Sequence, residues 1–270
     1  MAGAPRSVTS VGPDQILAAL STAARARRAV VLATIVATEG SVPRHTGAKM
    51  LIYPDAAALG TVGGGKVEDC IRAAALSALA DRNPNLRRYE LHDPDRGDPG
   101  ICGGAMTIYL EPYMPTPTVF VIGCGHVGRA VVDLAHWLGY HTVAVDDRPD
   151  LMTKDAIPNA DVRFIGSVDE AVQQHAVTET TSVVVVTRSH DLDAQILPVL
   201  LETQATYIGV MGSRRRWATT RKLLAETGIS DETLDHIRVP IGIDIGAETV
   251  EEIAVSIMSD IIKSAPAGAR

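Results

Sequence analysis

The 270 residues have room for two modest domains or one large one, and an apolar share of 46% supports a sizeable core, which aromatics at 4% leave to Ala, Val, Ile and Leu. A formal charge of -7, with no long basic block, argues against nucleic-acid binding through the phosphate backbone. No charge-free apolar run approaches the roughly 18 residues that span a bilayer, and residues 1–13 lack the apolar centre of a secretory signal, so neither membrane insertion nor export is expected.

Three cysteines lie far apart, at Cys70, Cys102 and Cys124. With no CxxC and no His/Cys grouping at zinc spacing, they point to reduced thiols and a cytoplasmic setting. In chain order, Asp14 is positioned to cap a first helix that carries Ile16, Leu17 and Leu20 on one face. Strands follow at 29–37, 49–53 and 58–62, with the polar loop Glu39-Gly-Ser-Val-Pro-Arg44 after the first and Gly63-Gly64-Gly65 after the third. A helix is predicted over 66–80, with Cys70 inside it and buried by default. Strands at 86–91 and 105–110 flank a turn-rich loop over 92–104. The first half therefore reads as an α+β unit.

Glu111-Pro-Tyr-Met-Pro-Thr-Pro117 places three prolines in seven residues, the composition of a stiff, extended connection. The expected division is a domain over 1–112, a linker over 113–117 and a second domain over 118–270. Beyond the prolines, strands at 118–122, 141–146, 161–165, 182–187 and 205–210 alternate with helices at 126–138, 168–176, 191–203 and 213–226. That alternation predicts an α/β doubly wound parallel sheet. Thr249 and Glu252 form a capping box for a last helix whose Val250, Ile253, Ala254, Ile257 and Ile261 keep helical spacing.

Ligands of open parallel sheets bind beyond the carboxyl ends of the strands. After the first of these strands comes Gly123-Cys124-Gly125-His126-Val127-Gly128, a glycine turn that opens a helix and suits a phosphate. After the second comes Asp146, 18 residues past Gly128, where a ribose-binding acid is expected and would favour NAD over NADP. His190 and Asp191 follow the fourth strand, and Ser213 and Arg214 the fifth. Duller readings stand beside these: His126 as a polar first-turn residue, Asp191 as a complement to a helix dipole, and Arg214 to Arg216 as a solvated turn.

In the first half, Arg44 lies in a polar, basic loop. Gly64 and Gly65 before a helix, with Lys66 adjacent, can present N–H groups to an anion or simply make a tight turn. Cys102, followed by Gly103 and Gly104, is either a small buried residue or an accessible thiolate for a soft metal.

Taken together, these motifs resemble the XdhC/CoxI family of xanthine dehydrogenase accessory factors. The resemblance runs over nearly the whole chain. It rests on Glu39-Gly-Ser-Val-Pro-Arg44, Gly47-Ala-Lys-Met50, Gly60-Thr-Val-Gly-Gly-Gly65 with Glu68, and Cys102-Gly-Gly104. In the second half it rests on Val121-Ile-Gly-Cys-Gly-His-Val-Gly128, Asp146-Asp-Arg148, Ser189-His-Asp191, Gly209-Val-Met-Gly-Ser-Arg214 and Pro240-Ile-Gly-Ile-Asp-Ile-Gly-Ala-Glu248.

The resemblance implies a small α+β amino-terminal domain followed by a Rossmann-like doubly wound sheet. It implies a chaperone rather than a stand-alone enzyme, which binds the molybdenum cofactor and helps its sulfuration and insertion into a xanthine dehydrogenase-type molybdenum hydroxylase. A cysteine desulfurase is an implied second partner, and a homodimer is compatible with the apolar last helix. On this reading the loop Gly123 to Gly128 grips the anionic end of the cofactor in a larger cleft, and Cys102 meets the molybdenum, which is cargo. The alternative is an NAD(P)-dependent oxidoreductase of the Rossmann class. His190 with Asp191 is its only candidate acid/base pair, and neighbours on a helix do not face each other.

Overall fold

The computed structural model describes residues 11–92, 99–100 and 102–265, and the chain divides into two compact units, Met1–Pro115 and Thr116–Arg270. The first contains α1 (Pro13–Arg25), β1 (Val30–Glu39), β2 (Lys49–Ile52), β3 (Ala58–Gly60), α2 (Gly65–Asp81), β4 (Asn85–Glu90) and β5 (Ala105–Tyr113). Its strands pair antiparallel in the order β3-β2-β1-β5-β4. Side chains alternate faces along a strand, so β1 feeds two cores. Val31, Ala33 and Ile35 meet the α2 stripe of Val67, Ile71, Ala75 and Ala78. Val30 and Leu32 meet Ile16 and Ala23 of α1 on the other side. Each of the valine, leucine and isoleucine side chains contributes about 1.5–3 kcal/mol by leaving water.

A bulge interrupts β1: Ile35 pairs with Ile108 and Ala37 with Thr107, which leaves Val36 unpaired and 43% exposed. The extra residue bends the strand end that leads into the loop after Glu39.

The second unit contains β6 (Thr118–Ile122), α3 (His126–Trp137), β7 (His141–Asp146), a 3-10 turn (Pro149–Met152), β8 (Val162–Ile165), α4 (Val168–Gln174), β9 (Thr181–Val185), α5 (His190–Leu201), β10 (Tyr207–Val210), α6 (Arg214–Glu226), α7 (Asp231–Leu234) and α8 (Val250–Ser264). The five strands are parallel in the order β10-β9-β6-β7-β8. Both faces are covered, which explains the apolar centres of β6, β7 and β9. Val119 and Val121 pack with α3 and α8 on one side, and Phe120 and Ile122 pack with α4 and α5 on the other. The chain order reverses between β6 and β9, so the switch point lies where their carboxyl ends diverge. The fold is thus α/β, with a Rossmann domain carboxyl-terminal in sequence to a smaller α+β one.

The structure departs from the sequence expectations in places. Helix α1 starts at Pro13 with Gly12 as its cap, whose N–H donates to Gln15 Oε1 at 3.1 Å, so Asp14 lies inside the first turn. Proline fits that first position because its missing N–H is not needed there. Strand β5 runs on to Tyr113 against β1, which takes Glu111, Pro112 and Tyr113 out of the connection. β4 begins opposite Leu110, so Pro112 falls where β5 has β1 alone beside it and its missing donor is tolerated.

Cys70 is exposed, not buried, because it flanks the apolar stripe of α2. The capping box of α8 is present, with Thr249 accepting from Glu252 N–H at 3.2 Å and returning its own N–H to Glu252 at 3.0 Å. The expected absence of a leader rests largely on residues 1–10, and the loop over 92–104 includes 93–98 and 101; these lie outside the described residues. No helix among the described residues is long and apolar enough to cross a membrane.

Candidate functional site

In the amino-terminal unit, three of the singled-out motifs meet. Gly103 N–H donates to Leu91 O at 2.6 Å and Leu91 N–H to Gly104 O at 2.8 Å, which ties the turn after Cys102 to the end of β4. A side chain at Gly104 would collide with the carbonyl oxygens of Glu39 and Ser41, and one at Gly40 would stand 3.0 Å from Gly103 O. One at Gly63 would meet Pro43 Cγ at 2.8 Å. The glycines therefore let the Glu39–Arg44 loop lie between the Gly63 turn and the turn after Cys102. Cys102 and Arg44 are exposed there. Glu39 is held by a two-toothed ion pair with Arg88 at 2.8 and 3.0 Å, which lowers its pKa.

The Gly63–Gly65 turn is already occupied by an anion, one that belongs to the chain. Glu68 Oε1 accepts from Val62 N–H at 3.3 Å, Gly64 N–H at 3.0 Å and the Thr61 hydroxyl at 2.5 Å, and Oε2 pairs with Arg72 at 3.0 Å. Burial pushes the Glu68 carboxyl up, but these donors outweigh it and hold its pKa below the ordinary value. The Gly64 N–H thus serves Glu68. Among the described residues, no atom crowds the space over Gly64 and Gly65. Beside α1, a cavity of about 170 Å³ is lined by Arg44, Lys49 and Thr61, and Lys49 Nζ donates to Thr34 Oγ1 at 3.1 Å.

In the carboxyl-terminal unit, the turn after β6 has the division of labour that a phosphate-binding glycine loop needs. Gly123 takes a φ of +96°, and a side chain there would stand 2.7 Å from Val186 O, just past the end of β9. A side chain at Gly128 would overlap Gly123 O, so this glycine sets the approach of α3 to β6. Gly125, the cap of α3, has open space over it, as close approach by a ligand requires. His126 is exposed in the first turn. Cys124 is buried: its Sγ faces Val145 O at 3.6 Å, and burial together with the Asp146 charge pushes its thiol up to about 12.

Asp146 is fully engaged. Its Oδ2 accepts from Cys124 N–H at 2.6 Å and Arg148 Nη2 at 2.8 Å, and its Oδ1 from Arg148 N–H at 3.0 Å and Arg148 Nε at 2.8 Å. Burial raises its pKa, but these bonds outweigh that and the net shift is downward. The expected grip on a ribose hydroxyl therefore meets a carboxylate that is tying the glycine turn to β7.

Across the switch point, Arg188 clamps Asp147 at 2.9 and 2.7 Å, which brings the Asp147 carboxyl down to about 2. A cleft of about 310 Å³ opens beneath, lined by Gly123, Asp146, Arg148, Ser167, Arg188 and Gln195 over an apolar floor of Ile122, Val145, Val168, Leu192 and Ile196.

Ser189, the cap of α5, precedes His190 and Asp191, whose side chains approach to 3.4 Å despite being neighbours on the helix. Ser213 caps α6 by accepting from Arg216 N–H at 3.2 Å, and Arg214 is exposed. The arginine that is anchored is Arg216: its Nε and Nη2 reach Asp193 Oδ2 at 3.0 and 2.6 Å, and Asp193 also accepts from Thr187 Oγ1. This link ties the end of β9 to α5 and α6; the sequence marks Arg216 only within the stretch Arg214 to Arg216 and does not pair it with Asp193. Asp146 ends β7, and Gly123, Gly125, His126, Gly128, His190, Asp191, Ser213 and Arg214 follow the carboxyl ends of other parallel strands. Gly64, Gly65, Arg44 and Cys102 lie in the other unit. No cluster of three His, Cys, Asp or Glu placed to hold a metal ion occurs among the described residues.

Residues 119–261 match the family model described as the XdhC Rossmann domain, and residues 23–90 match that of the XdhC and CoxI family. Among curated proteins, the uncharacterized protein YqeB of Escherichia coli (strain K12) is 32% identical over 242 residues, 88% of this chain and 44% of its own. A probable xanthine dehydrogenase component of Bacillus subtilis (strain 168) is 28% identical over 157 residues, 58% of this chain and 46% of its own. The molybdenum cofactor insertion chaperone PaoD of Escherichia coli (strain K12) is 24% identical over 265 residues, 87% of this chain and 83% of its own. The chain thus spans less than half the length of the first two relatives.

Proposed function

The chain belongs to the XdhC and CoxI family, and from that premise we propose that it binds the molybdenum cofactor and assists its sulfuration and insertion into a xanthine dehydrogenase-type molybdenum hydroxylase. The observation that carries the reading is the exposed thiol of Cys102, set in a turn that packs against the Glu39–Arg44 loop. A thiolate is a ligand suited to a soft, thiophilic metal. Arg44 in the adjoining loop supplies a cation for an anionic cofactor. The likeness to a cofactor insertion chaperone over most of both chains supports the same reading.

Molybdenum is cargo in this scheme, so a single accessible protein ligand suits the task better than a closed cage: the metal must leave again. Cys124 is unsuited to it, since its thiol is buried and stays protonated at neutral pH. Reconstitution tests the proposal. A cofactor-free molybdenum hydroxylase supplied with limiting cofactor gains activity faster when this chain is present, and the same rate with and without the chain contradicts an insertion role.

A further inference from the structure

We infer that the cleft at the switch point of the carboxyl-terminal unit is a nucleotide pocket that reads a phosphate on the ribose, with Arg148 and not Asp146 as the specificity-determining residue. The inference is independent of the cofactor reading above.

An ionised carboxylate has about four acceptor positions. All four on Asp146 are filled, two by backbone N–H groups and two by Arg148. A free ribose hydroxyl that donated to Asp146 would have to displace one of them, and each is a charge-assisted bond in a residue only 5% exposed. Arg148 is differently placed. Its Nε and one N–H of Nη2 serve Asp146, while its Nη1 takes no part in those bonds and the side chain is 41% exposed on the cleft wall. A guanidinium held rigid along one edge and open along the other is suited to a phosphate.

Arg188 lines the same cleft, joined to Asp147 at the surface, where a phosphate can compete for it. The floor of Ile122, Val168, Leu192 and Ile196 accepts the flat face of a base, and Asp169 and Gln195 stand at the rim to meet its polar edge. The volume of about 310 Å³ lies at the lower end of small-ligand pockets, which fits one nucleotide and not two.

Calorimetry on the full chain tests this with 2′,5′-ADP, 5′-AMP and inorganic phosphate as probes. The diphosphate is expected to bind about tenfold more tightly than 5′-AMP, the scale of one added charge-assisted hydrogen bond. Arg148→Met should bring the two to parity. If that variant does not fold because Asp146 loses its partner, Arg148→Lys serves instead: it keeps a cation beside Asp146, lacks the second guanidinium edge, and should narrow the preference. Equal affinity for both nucleotides overturns the inference, as does no binding of either. Inorganic phosphate binding as tightly as 2′,5′-ADP also overturns it, since that describes an anion site with no base pocket. An unchanged preference in both variants removes Arg148 from the role. The cofactor reading is judged on molybdenum, so the two fail separately.

Discussion

Cys102 and Cys124 carry the same side chain in opposite settings, one exposed in a turn and one enclosed within the glycine loop. Reactivity follows the thiolate fraction and access. Native protein should therefore titrate two thiols per chain with a disulfide reagent, Cys70 and Cys102, and release Cys124 only on denaturation; three fast thiols would contradict the burial. Gly128 offers a second test at this scale. A methyl group there would overlap Gly123 O inside the glycine turn. Gly128→Ala should cost about 3 kcal/mol, the upper range for overpacking, read as a lowered denaturation midpoint. Wild-type stability in that variant would mean that α3 is not pressed against the loop.

Among the elements, the second unit was legible because most strands have a continuous apolar centre and the helices do not, so the period changes at most boundaries. The first unit was legible in kind. Its last strand was cut short because prolines signal a connection, whereas Pro112 tolerates a strand that has one neighbour at that point. The glycine turns were legible as turns, but their local anion was not. Glu68 fills the Gly64 N–H from within the helix that the turn begins, and a sequence does not reveal which carboxylate folds back.

The same blindness hid the Asp193–Arg216 bond, which joins residues 23 apart on two helices, while the more conspicuous Arg214 is merely exposed. Asp193 is 1% exposed. Removing one partner of a buried pair strands the other, so Asp193→Ala should destabilise the protein by about 3 kcal/mol. Urea unfolding measures this, and a loss under about 0.5 kcal/mol, the range of an ordinary surface change, would show that the link does not hold β9, α5 and α6 together.

For the whole molecule, the paired carboxylates predict acid sensitivity. Asp147 titrates near 2, and Asp146 and Glu68 lie below their ordinary values. Unfolded Asp and Glu titrate near 4, so the stability these groups contribute is present above about pH 4 and is lost as pH falls toward 2. The exposed Asp147–Arg188 pair contributes little of it because solvent screens it, and most belongs to Asp146 and Glu68. The melting temperature should hold between pH 7 and 5 and drop steeply between pH 4 and 2.5. A flat profile across that window would contradict these pairings.

The central claim is that this chain carries the molybdenum cofactor through Cys102, and cofactor retention tests it most directly. The purified chain, mixed with the cofactor at micromolar concentration and passed through a desalting column under reducing conditions, should carry molybdenum and pterin through in equal amounts. Cys102→Ala should lose most of both, while Cys124→Ser, if folded, keeps them. Wild-type protein that emerges without molybdenum contradicts the account. Retention that is unchanged in Cys102→Ala leaves a binding protein but removes Cys102 from the metal.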